Sequence, residues 1–509
     1  MARILRNLQY NKCSKRPLRK LTGAAFLQRA PAGVFSISMN YLSLSFAALT
    51  AVTFLLYYLL PLQKRWTALL SGSAVFYILA CRRFPELLLF LLTVIFSYVA
   101  ASLRTHRIPA LLLTALPLTA QKCAQFAGVS SFPGSITDGG TALLVPVGLS
   151  FYTLTMISYM VDVYRGKIQP QKSFPRYALY ISFFPQIVQG PIPRYAELSE
   201  QLFTGHRFRL RQITDACKLI VWGLFLKYMI ADKAAGFVSA VFDAEALPGW
   251  QYALLGGCMY SLQLYADFDA CVCLCQGTAG LFGIRLAENF HHPYFAGSVK
   301  EFWRRWHISL STWLRDYVYI PLGGSRRGKA RTRINLLITF LVSGFWHGSG
   351  VQFLFWGLIH GSAQILEGMC SGLRDTQMPP ALRKSGRLLH RILALFVIMM
   401  AWIIFRAKTL KRGLLLWKSI LTLERGSTAF RFQADFKELF VLLLSACVLL
   451  IVSLLQERLE RRNLTLRNQI SGKALPVRLL LYAGVIMVIL IFGTWGYGYQ
   501  AQDFIYGEF

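Results

Sequence analysis

Of the chain's 509 residues, 55% are hydrophobic and 15% charged. Its mean hydropathy is +0.45, which excludes a soluble multidomain protein and makes this a polytopic membrane protein. The formal charge of +32, from 55 Lys+Arg against 23 Asp+Glu, sits in short loops between apolar runs. It therefore marks cytoplasmic loops and contacts with anionic lipid rather than nucleic-acid binding.

Taken in order, residues 1–38 are a basic arm with Arg3, Arg6, Lys12, Lys15, Arg16, Arg19, Lys20 and Arg29 and no acid. They lack the continuous apolar core of a signal peptide. Either they form a cytoplasmic arm, or translation starts at Met39, which opens a complete first span. The two starts imply opposite topologies. A short amino terminus outside makes Lys64-Arg65 and the loop 104–107 cytoplasmic but leaves Arg82-Arg83 outside, so the charge rule leaves both open. Apolar runs that mark crossings of a hydrocarbon core of about 30 Å, a few of them given with their ends cut short, fall at 41–60, 66–80, 86–103, 142–163, 213–230, 252–282, 334–346, 351–369, 388–405, 436–455 and 477–495. The fold class is thus all-α, with roughly eleven transmembrane helices. Between 108 and 140, mixed Pro, Ser, Thr and Gly weaken the pattern to one short or re-entrant helix and a loop.

Polar features inside apolar context come next. The stretch SFFPQIVQGPIPRY (182–195) holds Pro185, Pro191, Pro193 and Gly190. Irregular backbone at membrane depth survives only buried in protein or lining a cavity, so this stretch reads as a cavity wall. Asp267 and Asp269 sit in an apolar helix, where acids are costly enough to be functional or paired. Cys271, Cys273 and Cys275 follow at alternate positions. On a helix Cys273 points away from the other two, so a tetrahedral metal site needs ligands from elsewhere and none is expected. The ten cysteines are scattered, which speaks against a secreted disulfide framework and for small buried hydrophobes.

Chemistry is legible between 259 and 361. Residues 300–324 read KEFWRRWHISLSTWLRDYVYIPLGG, and helical spacing puts His307 on one face with Trp303, Ser311 and Leu314. Residues 334–361 read INLLITFLVSGFWHGSGVQFLFWGLIHG, two apolar arms meeting at Trp346-His347 beside Gly348. The basic loop 300–333 is cytoplasmic by charge. His347 lies fourteen residues past Arg333, about 21 Å into the membrane at 1.5 Å per residue. The expectation is a cavity that reaches His347 from outside and a path to it from the cytoplasm. Neutral imidazole takes a proton from a hydroxyl at physiological pH, as acyl transfer requires. No GxSxG elbow, HExxH zinc helix or Walker loop offers another route. His291-His292 and His360 read as structural.

At these residues the chain resembles the membrane-bound O-acyltransferase (MBOAT) superfamily, in the bacterial branch of alginate O-acetylation and D-alanyl-lipoteichoic-acid transfer proteins. The resemblance rests on FFPQIVQGPIPRY, MYSLQLYADFD, ENFHHPYFAGSVKEFWRRWHISLSTWLRDYVYIPLGG and GFWHG, with weaker matches at AWIIFRA and GYGYQAQDFIYGEF. It implies one transmembrane domain over 39–509 in which re-entrant and interfacial helices join the bundle around a central cavity. It makes His347 the family's membrane histidine and general base, and His307 a second active-site position that polarises the thioester. Arg304, Arg305 and Arg315, with Asp316 and Trp346, become candidates for substrate binding, although each arginine can equally be a topology-setting charge. The resemblance also implies acetyl-CoA as donor with no permanently bound cofactor, a separate extracytoplasmic acetyltransferase as partner, and a polysaccharide acceptor reached directly or through that partner. D-alanyl transfer from a carrier protein, or a flippase without chemistry, are the alternatives. Two departures stand out: the run Asp269-Ala270-Cys271-Val272-Cys273 replaces a more polar family segment, and 108–132 looks shorter than the family's fourth span.

Overall fold

A computed structural model describes residues 39–81, 83–104, 106–128, 145–377, 380–432, 435–494 and 504–505. The arm 1–38, all of the weak stretch after 128 and most of the C-terminal GYGYQAQDFIYGEF lie outside these. Every regular element among the described residues is helical. The first four helices are α1 (Leu44–Leu59), α2 (Arg65–Ala80), α3 (Phe84–Leu103) and α4 (Arg107–Phe126), followed by α5 (Leu149–Tyr164), α6 (Phe174–Ser182) and α7 (Tyr195–Thr204). Then α8 (Leu210–Phe225) runs through a π-helical turn, Leu226–Ala231, into α9 (Asp232–Phe242). The long α10 (Trp250–Leu281) is followed by two short helices, α11 (Val299–Arg305) and α12 (Ile308–Leu314), and a second π-helical turn, Arg315–Tyr319. The remainder is α13 (Gly328–His347), α14 (Val351–Gln377), α15 (Pro380–Arg406), α16 (Leu410–Leu421), α17 (Phe436–Glu460), α18 (Leu466–Ser471) and α19 (Leu475–Phe492).

Four described segments are long and apolar enough to span on composition alone: Phe84–Leu103, Ser385–Arg406, Phe436–Glu460 and Leu475–Phe492. Leu44–Leu59 is apolar but shorter, and in others buried polar side chains lower the hydropathy. The helix α4 shows this best. It runs 20 residues straight through Pro117, about 30 Å, where the sequence suggested something short or re-entrant. Its Thr114, Gln121 and Lys122 are buried, so the polarity that disguised it faces inward.

At the centre lies α10, 32 residues long and free of proline, packed against α8, α9, α15 and α16. Its Asp267 is 2% exposed. The cost of that burial is met across the bundle: Lys227 Nζ, carried on the first π-helical turn, lies 2.8 Å from Asp267 and 3.0 Å from Asp232. A C-terminal segment completes the arrangement, since the Ile505 amide donates to Asp267 Oδ2 at 2.8 Å and the Lys227 ammonium sits 4.6 Å from the Phe504 ring centre. Replacing Lys227 with Met leaves two buried carboxylates without this ammonium, a loss that typically costs about 3–5 kcal/mol. The expected result is a markedly lower melting temperature in detergent, and an unchanged one would refute the structural role of the pair.

The hairpin of α13 and α14 is the element that delivers His347. Gly344 permits it, because a Cβ there would stand 2.3 Å from the Phe353 carbonyl oxygen. The bend is therefore closed to any larger residue at 344.

Candidate active site

Local backbone decides where His307 goes, and it departs from the amphipathic helix expected over 300–314. The helix breaks: α11 ends at Arg305, and His307 takes a left-handed conformation (φ 43°) before α12 begins. A non-glycine residue there carries strain on the order of 1–3 kcal/mol and persists only when its surroundings hold it. Asn289 supplies that hold. Its carbonyl accepts from the Ile308 amide at 3.0 Å and its Oδ1 from the Ser309 amide at 3.0 Å, while His307 Nδ1 lies 3.4 Å from the same Oδ1. The face shared with Trp303, Ser311 and Leu314 is consequently not formed, because Asn289, eighteen residues upstream, is invisible to local periodicity.

The break turns His307 toward the end of α13. The ring centres of His307 and His347 are 6.4 Å apart, and the two residues are 0% and 1% exposed. Aromatic rings enclose the pair. Phe268 meets His307 edge-on at 4.7 Å, while Trp346, Trp356 and Phe405 stand 4.8, 5.1 and 5.5 Å from His347. The indole of Trp346 donates to the Ser150 carbonyl at 3.4 Å, fixing the end of α13 against α5. The space beside Gly348 is filled by the Phe353 ring, whose nearest atom is 2.2 Å from where a Cβ would stand. His347 itself is 1% exposed, enclosed by these aromatic side chains.

The irregular stretch 182–195 holds its place as a wall. Gln186, Gly190, Pro191 and Pro193 line a small cavity with Tyr152 of α5, and the Ile192 amide donates to Ser309 Oγ at 3.1 Å, tying this wall to the helix behind His307.

The charged candidates stand in other company. Arg304 is exposed. Arg305 pairs with Glu301 at 2.5 Å. Arg315 and Asp316 pair at 2.8 Å, and Asp316 also holds Arg194 at 2.9 Å. Of the residues expected from sequence, the structure brings together His307, Trp346 and His347, whereas the arginines and Asp316 occupy ion pairs or the surface. His360, fully buried, accepts from Trp303 Nε1 at 3.3 Å, and His291 and His292 face Glu460 at 3.4 and 3.8 Å. Sequence reasoning missed Asn289, Trp356, Phe405 and Trp402 as parts of this surround, Trp402 standing 5.8 and 5.5 Å from Trp356 and Phe405. Asn289 lies inside the ENFHHP motif and Trp402 and Phe405 inside AWIIFRA, so each had a local signal, but nothing local showed that they meet at the histidines.

Two buried imidazoles facing each other in an apolar, water-poor enclosure can move a proton and polarise a carbonyl, the needs of an acyl transfer. Comparison with known proteins agrees. The model of the membrane-bound O-acyltransferase family matches residues 171–407. The chain is 37% identical over 372 residues to a protein of Azotobacter vinelandii described as a probable alginate O-acetylase, covering 70% of this chain and 72% of that one. To a peptidoglycan O-acetyltransferase of Helicobacter pylori it is 35% identical, covering 55% of this chain and 58% of the relative. To a teichoic acid D-alanyltransferase of Bacillus subtilis it is 28% identical over 42% of this chain and 56% of the relative. This multi-pass membrane protein is therefore an O-acyltransferase that belongs to the membrane-bound O-acyltransferase family.

Proposed function

We propose that the protein moves an acetyl group from acetyl-CoA on the cytoplasmic side to an acceptor hydroxyl reached from the opposite face, in the O-acetylation of an extracellular or cell-wall polysaccharide. A separate extracytoplasmic acetyltransferase then serves as partner. The observation that carries this reading is the buried His307 and His347 pair, with ring centres 6.4 Å apart. His347 takes the acceptor proton as the hydroxyl oxygen attacks the thioester carbon, and His307 donates a hydrogen bond to the thioester oxygen. Collapse of the intermediate breaks the C–S bond, and the thiolate leaves with the proton held by His347. Arg304, the one exposed member of the motif's paired arginines, is available to donor phosphates at the surface.

The acetyl group is favoured over D-alanine because similarity to the O-acetylation proteins is both higher and longer than to the D-alanyltransferase. The test supplies purified protein and partner with labelled acetyl-CoA in one arm and a D-alanyl carrier protein in the other. Label is expected in the acceptor from acetyl-CoA alone. Transfer from the D-alanyl carrier alone would replace this reading with the second.

A further inference from the structure

Three lysines lie in the interior among the described residues, and two of them are answered by acids. Lys227 faces Asp232 and Asp267, and Lys233 faces Glu438. Lys122 on α4 is as buried as Lys227, at 1% exposed, yet no ion pair among the described residues includes it. An uncompensated buried ammonium is costly, several kcal/mol after relaxation. A fold that keeps one has a place for negative charge beside it.

That place is the active site. Gln125, three residues on from Lys122 and so on a neighbouring part of the same face, accepts from Ser349 Oγ at 3.2 Å, and Ser349 is two residues past His347. Beside Lys122, Gln121 is 5% exposed and its Oε1 has no hydrogen-bond partner among the described residues. This end of α4 thus brings polar groups to His347 from a helix the motif does not include.

Such a cation is answered when negative charge arrives beside it. Acyl transfer brings it. When the acceptor oxygen bonds to the thioester carbon, the carbonyl π pair moves onto oxygen while the acceptor proton passes to His347. On collapse the C=O bond re-forms, the C–S bond breaks and the thiolate takes the proton. We propose that Lys122 is a catalytic residue of this transfer, its ammonium holding the negative charge that forms on the thioester oxygen. The inference rests on the acyl-transfer function proposed above. Because that charge exists only at and near the transition state, the interaction raises turnover rather than substrate affinity.

The test compares Lys122→Met, Lys122→Arg, His347→Ala and wild type as purified full-length proteins with the partner transferase and labelled acetyl-CoA, recording kcat, KM and melting temperature. Lys122→Met is expected to lose about 10²–10³-fold in kcat, as for removal of an oxyanion donor, with KM for acetyl-CoA unchanged. Its melting temperature should equal or exceed that of wild type, since replacing an unanswered buried charge by an apolar side chain does not destabilise. Lys122→Arg, which keeps the charge, should retain measurable turnover. Wild-type kcat in Lys122→Met, or a loss of activity that follows a fall in melting temperature, would overturn the proposal. If wild type transfers acetyl and His347→Ala does not while Lys122→Met is unaffected, this inference alone fails. If wild type transfers none, the proposed function fails and takes this inference with it.

Discussion

His347→Ala and His347→Gln should each reduce acetyl transfer below detection. General-base assistance alone typically contributes about 10²–10⁴-fold; the rings packed on His347, Trp346, Trp356 and Phe405, carry no base, and His307, 6.4 Å away, is held in its own position by Asn289. Gln fills most of the imidazole's volume and so separates loss of the base from loss of packing. Both variants should insert and purify like wild type, because each removes or swaps a polar group inside an aromatic shell and adds no charge. Label transfer from acetyl-CoA, with melting temperature as control, is the measurement. Wild-type-like transfer by a well-folded His347→Ala protein would remove His347 from catalysis.

Changes at His307 should be graded, and the backbone explains how to read them. His307 sits at φ 43°, a conformation that Asn and Gly tolerate and Ala resists. His307→Asn keeps both the conformation and an N–H donor, so it should retain measurable activity. His307→Gly keeps the conformation without the donor and should fall by about 10²–10³-fold at near wild-type stability. His307→Ala should lose activity to a similar degree and also lower the melting temperature, because the strained turn then rests on Asn289 alone. Equal activities for Asn and Gly at 307 would exclude the hydrogen-bond role.

What the sequence made legible, and what it hid, follows from where polarity points. The helix α10 is readable to within two residues at either end, 252–282 against Trp250–Leu281, since an apolar proline-free run has one plausible conformation. The wall at 182–195 is readable because three prolines and a glycine cannot continue a helix. By contrast α4 was hidden, as its polar side chains lower hydropathy exactly as a loop would, and only the surrounding helices show that they face inward. The break at His307 was hidden for a different reason: its cause is Asn289, a residue distant along the chain. The pairing of His307 with His347 itself came from the motif, whereas the shell around them, Phe268, Trp356 and Phe405, is assembled from separate helices that no local pattern connects.

The tie between Asp267 and Ile505, 238 positions apart, bears on how the protein is made. During synthesis Lys227, Asp232 and Asp267 enter the membrane long before Phe504 exists. A lone lysine at the centre of a span costs about 2.5–3.5 kcal/mol to insert. Lys227 carries its own relief in Asp232, five residues ahead on the continuous helical segment, so insertion can proceed with the charge already matched. Asp267 then gains Lys227 when α10 arrives, and the backbone amide of Ile505 last of all. The bundle is thus sealed in an order set by translation, with its final stitch placed at its most charged interior point.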